Sequence, residues 1–296
     1  MERGATMGDV LTALRSVEAE FNYIMPSAQK PVVYMYEPPP GVPARTGRVE
    51  KRRCTVSDAR PLAPRLSLDV EGFCLRAHRT AVRDFLDEAG VTAVYYPEVA
   101  RLAQAATAAS RAWVFDHTLR ASASEDNRDS PIRTPVRAAH CDYTLASGPQ
   151  RVRDLLAPDE AARVLAHRFA IINVWQPLKG PVQEAPLAVC DARTVALQDL
   201  VGTDMRYRDR TGETYALAFN EAHRWYYVPQ MRADEALLMK TYDSAADGRA
   251  RFTPHSAFDD PTSPANAPRR ESIETRMLLS FAWRHEERRG TTDEHG

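Results

Sequence analysis

Residues 169–175 read Phe-Ala-Ile-Ile-Asn-Val-Trp, a short apolar run rich in β-branched and aromatic residues. Such a run is typical of a β-strand that is buried on both faces. Five similar runs lie between residue 112 and the C-terminus, at residues 113–119, 187–190, 225–228, 236–242 and 273–283. Irregular polar segments separate them, which favours an antiparallel sheet closing on itself over alternating βαβ units. The sequence therefore predicts a mainly β fold with flanking helices around a jelly-roll, cupin-like core.

Ahead of these runs, the apolar pattern is helical. Four apolar residues near the N-terminus recur at helical spacing: Val10, Leu14, Val17 and Phe21. They predict an amphipathic helix that ends before a proline-rich connector at residues 38–43. A second helix is predicted over residues 82–86, ending at Gly90, because glycine commonly terminates helices. A third helix begins with Pro97 in its first turn and continues through Leu102.

These elements predict one domain over residues 1–296, since this length lies near the upper end of a single domain. Residues 1–110 would form a mostly helical and loop part, and residues 111–284 the jelly-roll core. The charged tail at residues 285–296 is predicted to be disordered. Two polar stretches are interpreted as lids, binding loops or plain surface loops: residues 121–135 and 259–268.

The composition argues against several classes of partner. The chain has 39 basic and 40 acidic residues, a net charge of -1, so no general attraction to nucleic acid or an anionic membrane is expected. No apolar run approaches the roughly 18 residues of a membrane span, and no signal-peptide pattern is evident. We expect a cytoplasmic protein that acts on a small molecule. Its oligomeric state cannot be read from the sequence.

The triplet His140-Cys141-Asp142 is the first candidate for chemistry. In a strand, residues i and i+2 point to the same side, so one imidazole and one carboxylate can reach a single ion. The triplet alone is weak evidence, because His285-Glu286-Glu287 has the same His-x-acid form. A hydrogen-bonded surface pair is the alternative interpretation of His140 and Asp142.

Features further along the chain favour the first triplet. His255 follows a predicted strand and supplies a second imidazole. Two histidines and one carboxylate leave coordination positions open, an arrangement that suits non-haem Fe(II) oxygenases. A dicarboxylic cosubstrate and dioxygen can fill those positions. Arg270 and Ser272 share one face of the last strand, so they can hold the distal carboxylate by charge-assisted hydrogen bonds.

A second arginine competes with Arg270 for this role. Arg276 lies on the same strand face by period-two counting, six residues or about 20 Å further along. Arg270 is preferred because Ser272 can assist it, whereas Glu274 is expected to pair with Arg276 and neutralise its charge. A plain surface arginine is the alternative interpretation of Arg270.

Several motifs resemble those of one family of oxygenases. The order His-x-Asp, then a histidine 115 residues later (255 − 140), then Arg-x-Ser resembles the Fe(II)/2-oxoglutarate oxygenase superfamily. The region from residue 110 to 283 resembles, more narrowly, the AsaB-type hydroxylase/desaturase family, also called the CmcJ/NvfI-like family. Five motifs carry this resemblance: Ile171-Ile172-Asn173-Val174-Trp175-Gln176-Pro177-Leu178, His223-Arg224-Trp225-Tyr226-Tyr227, Tyr242-Asp243-Ser244, His255-Ser256-Ala257-Phe258-Asp259-Asp260-Pro261 and Arg270-Glu271-Ser272-Ile273-Glu274.

This resemblance implies a double-stranded β-helix, an Fe(II) cofactor, and 2-oxoglutarate and dioxygen as cosubstrates. It further implies oxidative tailoring of small specialised metabolites by hydroxylation, desaturation or endoperoxide formation. Some family members carry an older methyltransferase label, but this sequence has neither a GxGxxG turn nor a phosphate-binding loop. Two other functions remain open: a zinc-dependent hydrolase using the same triad, and a catalytically silent metabolite-binding partner of another enzyme.

Secondary candidates complete the predicted site. Asn173 and Trp175 point to one face of their strand, where Asn173 can bond the cosubstrate's C1 carboxylate or a metal-bound water, or is an ordinary buried amide. Tyr143 and Thr144 follow the aspartate and are predicted to line the substrate pocket. Two further histidines are interpreted as structural: His117 and His223. The four cysteines are interpreted as reduced thiols, because no Cys-x-x-Cys pair occurs: Cys54, Cys74, Cys141 and Cys190.

Overall fold

Two β-sheets dominate the computed structural model, which describes residues 14–122 and 132–281. We number the strands β1–β15 in chain order. Nine strands of the described residues form the larger sheet, in the spatial order β1 (Ser16–Ile24), β3 (Val49–Asp58), β12 (Trp225–Tyr227), β9 (Leu187–Cys190), β14 (His255–Ala257), β7 (His140–Cys141), β11 (Thr211–Leu217), β10 (Leu200–Arg206) and β2 (Val32–Tyr34). The other six form the smaller sheet, in the order β4 (Phe73–Ala77), β13 (Glu235–Asp243), β8 (Phe169–Pro177), β15 (Glu271–Ser280), β5 (Arg111–Ala121) and β6 (Ile132–Arg133).

The two sheets face each other across a cavity. His140 of β7 and His255 of β14 line it from the larger sheet, and Trp175 of β8 and Glu274 of β15 from the smaller one. Most neighbouring strands in both sheets are antiparallel. This arrangement is the double-stranded β-helix, or jelly roll, and it confirms the predicted fold class. All six apolar runs predicted to be strands overlap observed strands.

The helices lie outside the sheets. A short α-helical turn, Glu88–Gly90, and a π-helical segment, Val91–Tyr95, lead directly into α1 (Tyr96–Thr107). Two further helices, α2 (Ser147–Leu155) and α3 (Pro158–Leu165), precede β8, and short 3-10 turns occupy Arg60–Leu62, Ala192–Thr194 and Leu197–Asp199. Within the described part of the chain, none of these helices is long and apolar enough to cross a membrane.

One of the three helices predicted before β5 is confirmed. Helix α1 contains Pro97 in its first turn, as predicted, and packs with its buried Val99 against the smaller sheet. The helix predicted over residues 82–86 is wrong, because those residues are irregular and the helical segment begins at Glu88. Gly90 lies inside that segment with φ −63°. Buried side chains such as Val91 hold the segment helical across the glycine.

The amphipathic helix predicted near the N-terminus is also wrong where the structure describes it. Residues 16–24 form β1, which pairs antiparallel with β3. Phe21 and Tyr23 are buried on one side of β1, whereas Glu18 and Glu20 are exposed on the other. Buried and exposed side chains therefore alternate with a period of two, as in a strand. The prediction failed because four apolar residues also happen to recur at helical spacing. Val10 lies outside the described residues.

Residues 1–110 were predicted to be mostly helix and loop, and four strands, β1–β4, also lie there. The sequence of β3, Val-Glu-Lys-Arg-Arg-Cys-Thr-Val-Ser-Asp, is polar and only Val56 in it is buried, so it lacks the apolar alternation that identifies a strand. Hydrogen bonding to β1 on one side and β12 on the other defines it instead. Of the predicted loops, residues 259–268 contain no strand or helix, whereas residues 121–135 are only partly described. The predicted disordered tail lies outside the described residues.

A mutation in β1 tests this correction. We expect Phe21→Leu to lower the free energy of unfolding by about 1–3 kcal/mol, because it leaves a void in the core. The lost ring stacks on Trp225 with centroids 4.3 Å apart. Urea denaturation followed by circular dichroism measures the change. Glu20→Gln, on the exposed side, is the control and should cost less than about 0.5 kcal/mol. Equal losses of unfolding free energy in the two variants would contradict the assignment of residues 16–24 to a strand with one buried side.

Candidate metal centre

His140, Asp142 and His255 converge at the inner side of the larger sheet. His140 and His255 are direct partners across β7 and β14, and Asp142 follows β7. One potential ligand atom from each residue lies within 4.8 Å of those from the other two. Asp142 Oδ1 is 3.4 Å from His140 Nε2 and 3.7 Å from His255 Nε2. The structure thus brings together the three residues predicted from the sequence to bind iron.

The backbone orients both imidazoles. His140 Nδ1 donates to the carbonyl of Ala138 at 2.8 Å, and His255 Nδ1 donates to that of Thr253 at 3.2 Å. Because a carbonyl only accepts, the proton lies on Nδ1, and a neutral imidazole then presents the lone pair of Nε2. Burial, together with the nearby His140, lowers the pKa of His255. Lone pairs from two imidazoles and one carboxylate therefore meet, which is the donor set that a divalent metal such as iron requires.

The second oxygen of Asp142 is held from the opposite sheet. Asp142 Oδ2 accepts from Asn173 Nδ2 at 2.7 Å and from Arg276 Nε at 3.1 Å. Burial opposes ionisation of Asp142, but the positive charge of Arg276 outweighs it and holds the pKa of this carboxyl well below its ordinary value. Asp142 is therefore ionised and oriented before any metal arrives.

Arg276 is surrounded by acidic groups. Its Nη1 donates to Asp116 Oδ1 at 3.0 Å and to Thr118 Oγ1 at 3.1 Å, and its Nη2 donates to Glu274. The predicted pairing of Arg276 with Glu274 is confirmed. Although burial disfavours the cation, these carboxylates raise the pKa of Arg276 well above its ordinary value. Three carboxylates already face this guanidinium, which leaves it poorly suited to bind a further anion.

Arg270 has the opposite environment. It is 3% exposed, and its side chain makes one hydrogen bond, from Nη1 to the carbonyl of Ala185 at 2.6 Å, over the ring of Trp175. Within the described residues it has no ion pair, and its Nε has no hydrogen-bond partner. Burial and the nearby cation Arg120 lower the pKa of Arg270 to about 9. A buried guanidinium that makes no ion pair among the described residues is the electrostatic signature of an anion site.

Two more donors near Arg270 lack partners among the described residues. Ser272 Oγ and Trp175 Nε1 are both buried, and neither makes a hydrogen bond. Arg270 and Trp175 line the cavity, and Ser272 lies between Arg270 and Glu274, which also lines it. Buried polar atoms are normally paired, so these three donors indicate a ligand with several acceptors. A carboxylate has this character. The residues present therefore fit the distal carboxylate of 2-oxoglutarate.

The cavity joins the two halves of this site. Its walls come from both sheets: Arg120, Val136, His140, Trp175, Leu187, His255, Ala257, Arg270 and Glu274. Sequence reasoning missed Arg120, which is the cross-strand partner of Ser272 on β5. It also missed Val136, Leu187 and Ala257, because only the pairing of distant strands brings these apolar side chains to the cavity. The available signal was period-two counting on β5, which puts Arg120 on the same strand face as Asp116 and Thr118. That face could have been recognised only from the contacts of Asp116 and Thr118 with Arg276.

Tyr143 and Thr144, predicted to line the substrate pocket, do not line this cavity. Tyr143 is buried with Arg151 over its ring. Thr144 Oγ1 donates to Glu213 and accepts from backbone amides at the start of α2. Their role in substrate binding stays a prediction.

Burial raises the pKa of the Cys141 thiol well above its ordinary value, in keeping with an inert sulfur.

Comparisons with known proteins agree with this geometry. The family described as "Oxidoreductase/YMDC permease-like domain" matches residues 21–280. The hydroxylase/desaturase efuI of Hormonema carpetanum is 36% identical over 255 residues, covering 79% of this chain and 84% of the relative. The Fe(II)/2-oxoglutarate-dependent dioxygenase nvfI of Aspergillus novofumigatus is 32% identical over 277 residues, covering 88% and 96%. The solved structure of the iron and alpha-ketoglutarate-dependent endoperoxidase NvfI superposes with a TM-score of 0.82 at 31% identity, covering 90% of this chain and 99% of that one.

A double-stranded β-helix with a His-Asp-His cluster between its sheets defines the class of non-haem iron, 2-oxoglutarate-dependent oxygenases. Within that class, the chain belongs to the AsaB-type hydroxylase/desaturase family. It is an oxidoreductase that uses Fe(II), 2-oxoglutarate and dioxygen on a small specialised metabolite.

Proposed function

We propose that His140, Asp142 and His255 hold Fe(II), and that Arg270 with Ser272 and Trp175 holds the distal carboxylate of 2-oxoglutarate in the adjoining cavity. The single observation that carries the proposal is the shared cavity: both imidazoles line it at one place and the unpaired guanidinium at another. When bound, the iron, cosubstrate and dioxygen supply the oxidising power to remove a hydrogen atom from a C–H bond.

The protein's own contribution is binding and orientation. Arg270 Nε, Ser272 Oγ and Trp175 Nε1 have no hydrogen-bond partner in residues 14–122 and 132–281, so each can donate to one carboxylate. The apolar walls keep water from the reacting atoms: Val136, Leu187 and Ala257. Since the ligands do not select between outcomes, substrate geometry decides whether the product is hydroxylated or desaturated. Tyr143 and Thr144, which follow the metal aspartate, stay in the proposal as candidates for contact with substrate.

The proposal includes the setting of the reaction. The chain would act as one domain in the cytoplasm, where its four cysteines stay reduced. Its near-neutral charge supports a metabolite over nucleic acid or membrane as its partner.

Coupling between cosubstrate and product tests the proposed reaction. We expect 2-oxoglutarate and dioxygen to be consumed together, with succinate appearing in proportion to oxidised product. Candidate metabolites are screened with Fe(II)-loaded protein by oxygen electrode and mass spectrometry. Zn(II)-loaded protein is the control and should give no product, because zinc has no redox chemistry. Product formed without 2-oxoglutarate, or with zinc, would refute the proposal and favour an oxidase or a hydrolase.

A further inference from the structure

The two oxygens of Asp142 have different environments. Oδ1 faces the Nε2 atoms of His140 and His255, as a metal ligand would. Oδ2 points toward the smaller sheet and accepts two hydrogen bonds, from Asn173 and Arg276. We call Asn173 and Arg276 the carboxylate clamp. One oxygen is thus occupied by protein donors, and the other is left for a metal.

The sheet places both residues of the clamp at one level. Asn173 of β8 and Arg276 of β15 are direct cross-strand partners. Each of these two strands also pairs with a second neighbour, and both of those pairings contain a bulge. The register of β8 with β13 shifts between Lys240 and Tyr242, and that of β15 with β5 shifts after Arg276. Bulges of this kind re-aim side chains and are over-represented next to active sites. Two of them flank the clamp.

Further contacts make the clamp rigid. Asn173 is fully buried, and its Oδ1 lies 3.4 Å from the hydroxyl of Thr241, the residue at the bulge in β13. Arg276 is fixed by Asp116, Thr118 and Glu274. Neither side chain can turn toward the cavity without leaving several hydrogen bonds unmade, which is costly in a buried site.

We propose that Asn173 and Arg276 are positioning residues that hold Oδ2 of Asp142 so that only Oδ1 is presented to iron. This inference rests on the proposed function, because it takes Asp142 to be a metal ligand. A carboxylate held in this way binds a metal through one oxygen and leaves the neighbouring coordination position for cosubstrate. In this proposal Asn173 and Arg276 orient the metal ligand Asp142, whereas Arg270 binds 2-oxoglutarate.

Metal affinity separates this role from cosubstrate binding. Mn(II), which has the same charge as Fe(II) and does not oxidise readily, is titrated into apoprotein while electron paramagnetic resonance reports the free ion. We expect Asn173→Ala and Arg276→Lys to raise the Mn(II) dissociation constant about 10- to 100-fold, as loss of groups supporting a metal ligand typically does. Arg60→Lys is the matched control. It changes an arginine that pairs with Glu235 rather than with the triad or the clamp, and should leave Mn(II) affinity unchanged.

Calorimetry with 2-oxoglutarate at saturating Mn(II) completes the test. The clamp variants should bind 2-oxoglutarate as wild type does, and Arg270→Lys should show the reverse pattern, weak cosubstrate binding with normal Mn(II) affinity. Normal Mn(II) affinity in Asn173→Ala would overturn the clamp, and so would a defect in that variant confined to 2-oxoglutarate. Failure of the wild type to bind Mn(II) would instead overturn the proposed metal site. Circular dichroism checks folding, and Asn173→Ala carries the test if Arg276→Lys does not fold.

Discussion

His140→Ala, Asp142→Ala and His255→Ala are each expected to abolish iron binding and turnover while the fold is retained. Each substitution removes one of the three proposed protein ligands, and we expect the two that are left to bind Fe(II) much more weakly. The fold should survive, because the side chains of His140 and Asp142 are partly exposed, at 19% and 14%. Metal stoichiometry after anaerobic reconstitution, read beside far-UV circular dichroism, measures the effect.

Two further variants sharpen this prediction. Asp142→Glu should also lose most activity, since one extra methylene moves the carboxylate away from both the imidazoles and the clamp. His117→Gln is the control, because His117 contacts Tyr96 and Glu88 outside the triad. It should bind one iron per chain. Full activity in any of the three alanine variants would remove that residue from the site.

Arg270→Lys is expected to raise the Michaelis constant for 2-oxoglutarate by roughly 10- to 150-fold. Lysine keeps the charge but loses the planar fork, and a hydrogen bond to a charged group is worth about 1.5–3 kcal/mol, where 1.4 kcal/mol is tenfold. The lost donor is Nε, which has no partner among the described residues. Ser272→Ala should act in the same direction by a smaller factor. Succinate release at varied 2-oxoglutarate measures both.

Arg276→Lys is the comparison that decides between the two arginines. Its Michaelis constant for 2-oxoglutarate should stay near that of wild type at saturating iron, because Arg276 faces three carboxylates of its own. An unchanged constant for Arg270→Lys together with a large rise for Arg276→Lys would reverse the assignment.

The site could be predicted from the sequence where its chemistry is local. His140 and Asp142 are two residues apart, so strand geometry alone brings them to one ion. The same counting put Arg270, Ser272 and Arg276 on one strand face. Arg270 directly precedes β15, and β15 pairs with β8 without interruption from Ser272 through Ser280. The pairing of Arg276 with Glu274 followed from the same counting.

The remaining features depend on which strands are neighbours in the sheets. A local sequence pattern does not specify which distant strands pair. Asn173 was predicted to contact cosubstrate or a metal-bound water, or to be an ordinary buried amide. Its contact with Asp142 was not foreseen, because it depends on β8 lying beside β15 and opposite the residues that follow β7. Arg120 was missed for the same reason. In the N-terminal part, β3 escaped notice because pairing with β1 and β12, rather than apolar alternation, makes it a strand.

An anaerobic titration of the wild-type protein tests the central claim most directly. Fe(II) and 2-oxoglutarate are added in turn, and the visible metal-to-ligand charge-transfer band of chelated 2-oxoglutarate is followed. We expect the band only when both are present, saturating at one equivalent of each per chain. We expect it to be absent from His255→Ala, and to need much more 2-oxoglutarate in Arg270→Lys. A wild-type protein that binds Fe(II) but shows no band at any concentration of 2-oxoglutarate would contradict the account.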